Sequence, residues 1–417
     1  MAEILELRCT ICEQTYQPGE VEYFCPACGQ VGTLDVLYNY GTLKSVVDRD
    51  ALFANREISM WRYRDLLPVA PGTAVPPLQV GYTPLLDAPR LAAELGVWRV
   101  WVKDDGQNPT ASLKDRASSM VVARAIEKGA QVVSTASTGN AAAALSGMCA
   151  SVPDMQAIIF VPATAPEAKI AQLLVYGATV LLVEDTYDVA FDLCYELSQS
   201  EGWYCRNTGI NPFTTEGKKT AAYEIAEQLG WHVPDVVVVS VGDGSIIGGM
   251  HKGFWELRQL GWIKRIPRLI GVQSSGSSAL VHAWENDVAP AEMQPRPAET
   301  IADSISAGLP RDRSKALRAV RQTGGAFVAV DDAEIIAAIP RLAQSSGVFA
   351  EPAAAAVYAG VKAAVQSNLI SPDEEVALLV TGNGLKDVKS AQKSVSGGMR
   401  VPPDADNIRQ RLNRGLQ

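Results

Sequence analysis

The alternation of apolar and polar side chains through Val97-Trp98-Arg99-Val100-Trp101-Val102-Lys103 has a period of two and predicts a strand. Turn-forming residues follow from Asp104 to Pro109. Met120, Val121, Ala123, Ala125 and Ile126 then recur at helical spacing, so a helix is expected from Lys114 onward. The same exchange of patterns repeats down the chain. Strands are expected at 132–135, 157–161 and 179–183. Helices are expected from Asn140, from Pro166 (a favourable first position) to a stop at Gly177, and from Tyr187 to Leu197. Further apolar, β-rich runs lie at 236–239, 269–272, 327–330 and 376–380. Strands this short and uniformly apolar, separated by helices, predict an α/β fold whose parallel sheets are covered on both faces.

Other stretches read differently. Residues 1–40 form a separate small unit closed by a strand-like run at 34–38, and 41–65 reads as a helical linker anchored by Trp61 and Tyr63. Pro68, Pro71, Pro76, Pro77 and Pro84 make the next stretch an extended connector. A second cluster, Pro290, Pro295 and Pro297, marks a long loop placed to cover a site. The tail from Ser396 is Gly/Pro-rich and then basic, the composition of a solvated or subunit-clasping arm.

A net charge of −9 and a pI near 5.1 argue against a nucleic-acid or anionic-membrane partner. The N-terminus lacks the basic start and apolar run of a secretory signal, and the most apolar window, 130–152, is interrupted by polar residues, so a soluble cytoplasmic protein is expected. In that setting Cys9-x-x-Cys12 and Cys25-x-x-Cys28 predict a tetrahedral thiolate zinc site rather than disulfides. Four cysteine ligands leave no open coordination position, which makes the metal structural. Cys149, Cys194 and Cys205 sit among apolar neighbours and read as core residues.

Four motifs carry chemistry. Lys114 stands in the first helical turn, where the positive end of the helix dipole disfavours the ammonium and lowers its pKa, as Schiff-base chemistry requires. By position alone it also fits a solvated surface lysine. Ser137-Thr138-Gly139-Asn140-Ala141-Ala142 joins a strand to a helix and offers amide groups and hydroxyls to an anion, or serves as an ordinary helix cap. The run from Val236 through Gly242, Asp243, Gly244, Ser245 and Ile246 passes a buried strand into glycines and a helix, the arrangement that cradles phosphate. A dinucleotide fold has a similar start, but Gly242-x-Gly244-x-x-x-Gly248 departs from its G-x-G-x-x-G spacing. Thr381 follows the last apolar strand, where open α/β sheets place ligands. An imine-forming lysine, a phosphate cup, a carboxylate cup and a strand-end hydroxyl together specify pyridoxal 5'-phosphate and a small amino-acid substrate.

These motifs, in this order, resemble the fold-type II pyridoxal-phosphate enzymes and, among them, the threonine synthase family. The likeness also takes in the four-cysteine ribbon, Gly81 to Leu85, Asn108 to Arg116, Asn211-Pro212, Glu216 to Thr220, Glu351-Pro352-Ala353 and Thr381 to Asp387. It implies two parallel-sheet domains of the tryptophan synthase β kind plus the ribbon. The division would be 1–40 ribbon, 41–130 linker and start of the large domain with the Schiff-base lysine, 131–215 small domain, 216–395 large domain and 396–417 arm, in a homodimer or higher homo-oligomer. It further implies that Lys114 carries the cofactor aldehyde, Asn140 bonds the pyridine 3′ oxygen, Gly242 to Ile246 hold the phosphate and Thr381 faces the ring nitrogen. The substrate carboxylate would lie on Ser137, Thr138, Gly139 and Ala141. A neutral hydroxyl at the ring nitrogen favours β or γ elimination and replacement over transamination.

The implied reaction converts O-phosphohomoserine and water to threonine and phosphate. A threonine/serine dehydratase or a cysteate-synthase-like replacement on O-phosphoserine are the neighbouring expectations. A zinc-mediated scaffold with a degenerate enzyme body and a dinucleotide oxidoreductase stand further away. The family's pattern is departed from at Ala111, Leu113, Ala141, Asp192 and Ser306 to Asp312. Asp192 stands where an arginine is expected, and Arg311 and Arg313 are the candidates to replace that charge.

Overall fold

A computed structural model describes residues 3–165 and 167–415. Three sheets organise it. Ile4–Cys9 lies between Thr15–Tyr16 and Leu34–Tyr38 in an antiparallel ribbon. A six-stranded sheet runs in the order Ala326–Val330, Arg268–Ser274, Val236–Ser240, Glu375–Val380, Arg99–Asp104 and Leu85–Asp87, all parallel except the last. A four-stranded parallel sheet runs Thr179–Val183, Gln156–Pro162, Val132–Ala136 and Tyr204–Cys205. Every residue of Val236–Ser240 and Glu375–Val380 is buried. That is why these central strands read as unbroken apolar runs rather than alternating ones.

The connector after Pro84 departs from expectation. Its end is not merely extended: Leu85–Asp87 pairs antiparallel with Lys103, Val102 and Trp101 and closes the sheet edge. Antiparallel pairing depends on what lies alongside, which a three-residue run does not announce. Helix Glu167–Val175 follows the expected pattern, but the expected start at Pro166 lies outside the described residues. The arm contains a helix, Ala405–Gly415, with an Arg409–Asp406 pair one turn apart. No described helix is long and apolar enough to cross a membrane.

Two packing features place the site. Helix Phe213–Lys218 crosses helix Lys114–Glu127 so closely that a Cβ on Gly217 would lie 2.1 Å from the Arg116 carbonyl oxygen. Gly217→Ala must push the helices apart, and a loss at the upper end of about 1–3 kcal/mol is expected from overpacking. A urea midpoint equal to that of the parent would contradict this.

The ribbon is docked to the body through Asp35, which accepts from both guanidinium arms of Arg318 at 2.6 and 2.9 Å, and through Thr10 Oγ1 and Ser314 Oγ at 2.6 Å. Burial raises the Asp35 pKa, and Arg318 more than reverses this, holding the carboxyl well below its usual range. Helix Arg313–Thr323, on which the ribbon rests, also backs the Gly242–Ile246 turn.

Candidate functional site

A cavity of about 780 Å³ opens where strands of the two parallel sheets end. Ala136, Pro162 and Ser240 are the last residues of their strands, Thr381 follows Glu375–Val380, and all four face it. Carboxyl ends of parallel strands are where α/β folds place ligands, because loops there are free of the ladder.

Lys114 enters this cavity from the first position of helix Lys114–Glu127. The loop before it is held on several sides. Asn108 Oδ1 accepts from Gly81 N at 2.8 Å, Ala111 adopts a left-handed φ of 65°, and Asp115 accepts from Thr110 N at 2.7 Å and Thr110 Oγ1 at 2.5 Å. Leu113 N donates to the Thr381 carbonyl at 2.9 Å and Asn383 N to that of Ala111 at 3.1 Å. These bonds join two loops 268 to 272 positions apart and bring the lysine and the strand-end hydroxyl together in the cavity lining. Burial is the main cause of a lowered Lys114 pKa; Glu351 opposes it and Arg206 adds to it.

Behind the lysine lies a charge cluster. Arg116 is fully buried, its Nε and Nη2 donating to Asp105 at 2.7 and 2.8 Å and Nη2 also to Glu224 at 2.7 Å. Lys103 Nζ lies 2.6 Å from Glu224, whose oxygens also accept from Tyr82 N and Thr83 N at 2.7 and 3.2 Å. The cluster clamps residues 81–83 against the Lys114 helix.

The glycine turn fits a phosphate. Helix Ser245–Gln259 begins here, and its first amides have no intrahelical partner. Gly244 has φ +90°, and a Cβ there would lie 2.7 Å from Ala316 Cβ and 3.0 Å from the Asp312 carbonyl oxygen. A Cβ on Gly242 would come 2.9 Å from Ile305 Cα. Asp243 is tied at the cavity's edge, its Oδ1 accepting from Arg311 N at 3.1 Å, and Ser245 Oγ accepts from Lys218 Nζ at 2.5 Å.

Ser137, Thr138, Gly139, Asn140 and Ala141 line the opposite wall at the head of helix Asn140–Ala150. Asn140 Nδ2 donates to Glu351 Oε1 at 2.8 Å and Oε2 at 3.1 Å, and to Ser304 Oγ at 3.2 Å. Glu351 is buried, and burial raises its pKa against the Asn140 bond. All the cofactor and substrate residues named from sequence thus meet in one cavity. Lys114 supplies an amine, residues 242–246 a cup, and Asn140 and Thr381 neutral side chains, a donor set that fits a phosphorylated pyridine aldehyde.

Several lining residues carried no local signal: Arg206, Tyr187 and Ser304 face the cavity, as does Lys218 from the Glu216 to Thr220 run. The proline-marked loop contributes Pro295, Arg296 and Ala298 to its lining. Of the two candidate arginines, Arg311 lines it and pairs with Asp188 at 2.9 Å, whereas Arg313 donates to the carbonyls of Pro290 and Pro310 at 2.7 and 3.0 Å. Asp192 lines the cavity where the expected arginine would stand. The ligand atoms of Cys9, Cys12, Cys25 and Cys28 all lie within 4.8 Å of one another and outside this cavity, a set able to hold one tetrahedral ion.

Comparison with known proteins agrees. A family model described as "Pyridoxal-phosphate dependent enzyme" matches residues 77–382. The chain is 37% identical to the threonine synthase of Methanocaldococcus jannaschii over 412 residues, covering 98% of this chain and 99% of that one. It is 38% identical to that of Methanosarcina acetivorans over 409 residues, 97% and 98% of the two chains. Among solved structures, the processed form of threonine deaminase isoform 2 from Solanum lycopersicum superposes with a TM-score of 0.65 at 23% identity, covering 84% of this chain and 94% of that one, a likeness of fold.

Proposed function

The chain belongs to the pyridoxal-phosphate dependent enzymes and, within them, to the threonine synthase family, and we propose that it converts O-phosphohomoserine and water to threonine and phosphate. The observation that carries this is the meeting of Lys114, the 242–246 cup, Asn140 and Thr381 in one cavity of a chain that matches threonine synthases over nearly its whole length.

Gly242, Asp243, Gly244, Ser245 and Ile246 would hold the cofactor phosphate on their amides, with Asn140 and Thr381 beside the ring. When bound, pyridoxal phosphate supplies an aldehyde for amine condensation and a conjugated ring that accepts electrons from the carbons beside the substrate amine. Lys114 Nζ, its charge disfavoured by burial, takes a proton from the substrate α carbon and returns protons along the chain. Thr381 offers a neutral hydroxyl, which does not fix a proton on the ring nitrogen and so favours elimination and replacement. Ser137, Thr138, Gly139 and Ala141 orient the substrate carboxylate at the helix N-terminus.

Phosphate release from O-phosphohomoserine, followed in the steady state, tests the reading. Turnover no faster than buffer excludes it, and ketoacid formation from threonine would instead identify a dehydratase.

The ribbon cysteines would hold structural zinc in the reducing cytoplasm. Cys25→Ser is expected to abolish the zinc found by metal analysis and to lower the melting temperature. Full zinc in that variant would refute the assignment.

A further inference from the structure

Deep in this protein, cations are matched by acids. Arg62 meets Glu227, Lys103 meets Glu224, Arg116 meets Asp105 and Glu224, Lys219 meets Glu216 and Glu256, Lys252 meets Glu216, and Lys315 lies 3.6 Å from Asp312. Arg313, nearer the surface, spends its donors on two carbonyls. Arg206 and Lys218 break the rule. They are 0% and 1% exposed, and among the described residues neither has a carboxylate within 4 Å. Among the described residues the Arg206 side chain donates only to the hydroxyls of Ser118 at 3.2 Å and Thr208 at 3.0 Å, and its buried Nη2 has no partner. Lys218 Nζ donates to Ser245 Oγ. Both side chains, with Thr208 and Ser245, line the main cavity.

A buried cation without a counter-charge is costly, and two in one cavity mark places where a ligand supplies the negative charge. The cost is visible on Arg206, whose pKa burial pushes down to about 10. Their positions differ. Lys218 touches the hydroxyl at the first position of helix Ser245–Gln259, against the glycine cup, whereas Arg206 rests on Thr208, on a separate loop.

Resting on the functional reading above, we propose that Arg206 and Lys218 make this cavity a two-anion site. Lys218, with Ser245, grips the phosphate carried by the cofactor, and Arg206, with Thr208, takes the phosphate at the far end of the substrate. A phosphorylated amino acid is then selected over its free hydroxy counterpart by a charged donor from 206 rather than from the helix that carries Asp192.

The test uses the full-length chain. Stripped of cofactor and titrated with pyridoxal phosphate by absorbance, Lys218→Gln is expected to bind roughly tenfold or more weakly and Arg206→Gln within about twofold of the parent. Loaded with pyridoxal phosphate and titrated calorimetrically with inorganic phosphate, Arg206→Gln is expected to lose binding by roughly tenfold or more, while Lys218→Gln at saturating cofactor keeps it. Should Arg206→Gln fail to load, Thr208→Val, which removes the hydroxyl assigned to the same phosphate, is read instead. Weaker phosphate binding supports the assignment, and unchanged binding overturns it. Parental cofactor affinity in Lys218→Gln, or a loaded parent that binds no phosphate, also overturns the two-anion site while leaving the functional reading intact. A parent that takes up no pyridoxal phosphate overturns both.

Discussion

Lys114→Ala is expected to lower turnover by roughly 10³-fold or more, since the amine assigned to move protons at the reacting carbons is gone. The loss should come without unfolding. Alanine is at least as good a helix former at the first position of Lys114–Glu127, and Lys114 is itself a burden to the folded chain.

The sign follows from its pKa. Burial holds the folded value below the usual 10.5, so between the folded and the usual value the unfolded chain binds the extra proton and stability rises with pH. Below the folded value the whole penalty is present. The cofactor-free variant should therefore match or exceed the parent in melting temperature near neutral pH, and its advantage should shrink as pH rises toward 10.5. Borohydride treatment of the loaded parent should label position 114, and the variant should lack the lysine-linked chromophore. Retained turnover, or a label on Lys218 instead, would sink this assignment.

Arg116→Met should give the largest loss of stability. It strands Asp105 and Glu224 in the core with Lys103 as their remaining cation, and removing one partner of a buried ion pair costs about 3–5 kcal/mol. Glu224 records the stake: burial raises its pKa, but Arg116 and then Lys103 outweigh this and bring it down to about 2 from 4.5. A depressed carboxyl stabilises the fold above its unfolded value. In the parent that contribution is intact above pH 4.5 and drains away as pH falls toward 2. In the variant the loss should begin at higher pH, since the charge that held the carboxyl ionised is gone.

Urea unfolding near neutral pH and an acid titration followed by circular dichroism read both effects. A change smaller than about 1 kcal/mol would mean that the cluster relaxes or admits water. Because Arg116 lies on the helix that Lys114 begins, cofactor affinity should fall as well.

How much of this was legible without coordinates depended on how local each feature is. The run Val236 to Val239 announced a central strand because both its faces are buried, and Gly242 with Gly244 announced a cup because both stand between that strand and a helix start at Ser245. The two adjacent lysines 218 and 219 show the opposite case. They share one helix end, yet the turn between successive residues sends Lys218 to Ser245 and the cavity, and Lys219 to Glu216 and Glu256. No spacing rule separates them. The same holds for Glu351, which meets Asn140 from 211 positions away, and for Arg313, a fair replacement on paper that turned to backbone carbonyls.

By itself the sequence determined the periodicities, the turns, the reactive lysine at its helix start and the thiolate spacing, all set by backbone geometry over a few residues. The tertiary structure alone decided which buried charges find partners. That depends on which distant segments the packing of two sheets brings within a few ångströms, and among the described residues it left Arg206 and Lys218 without an acid within 4 Å.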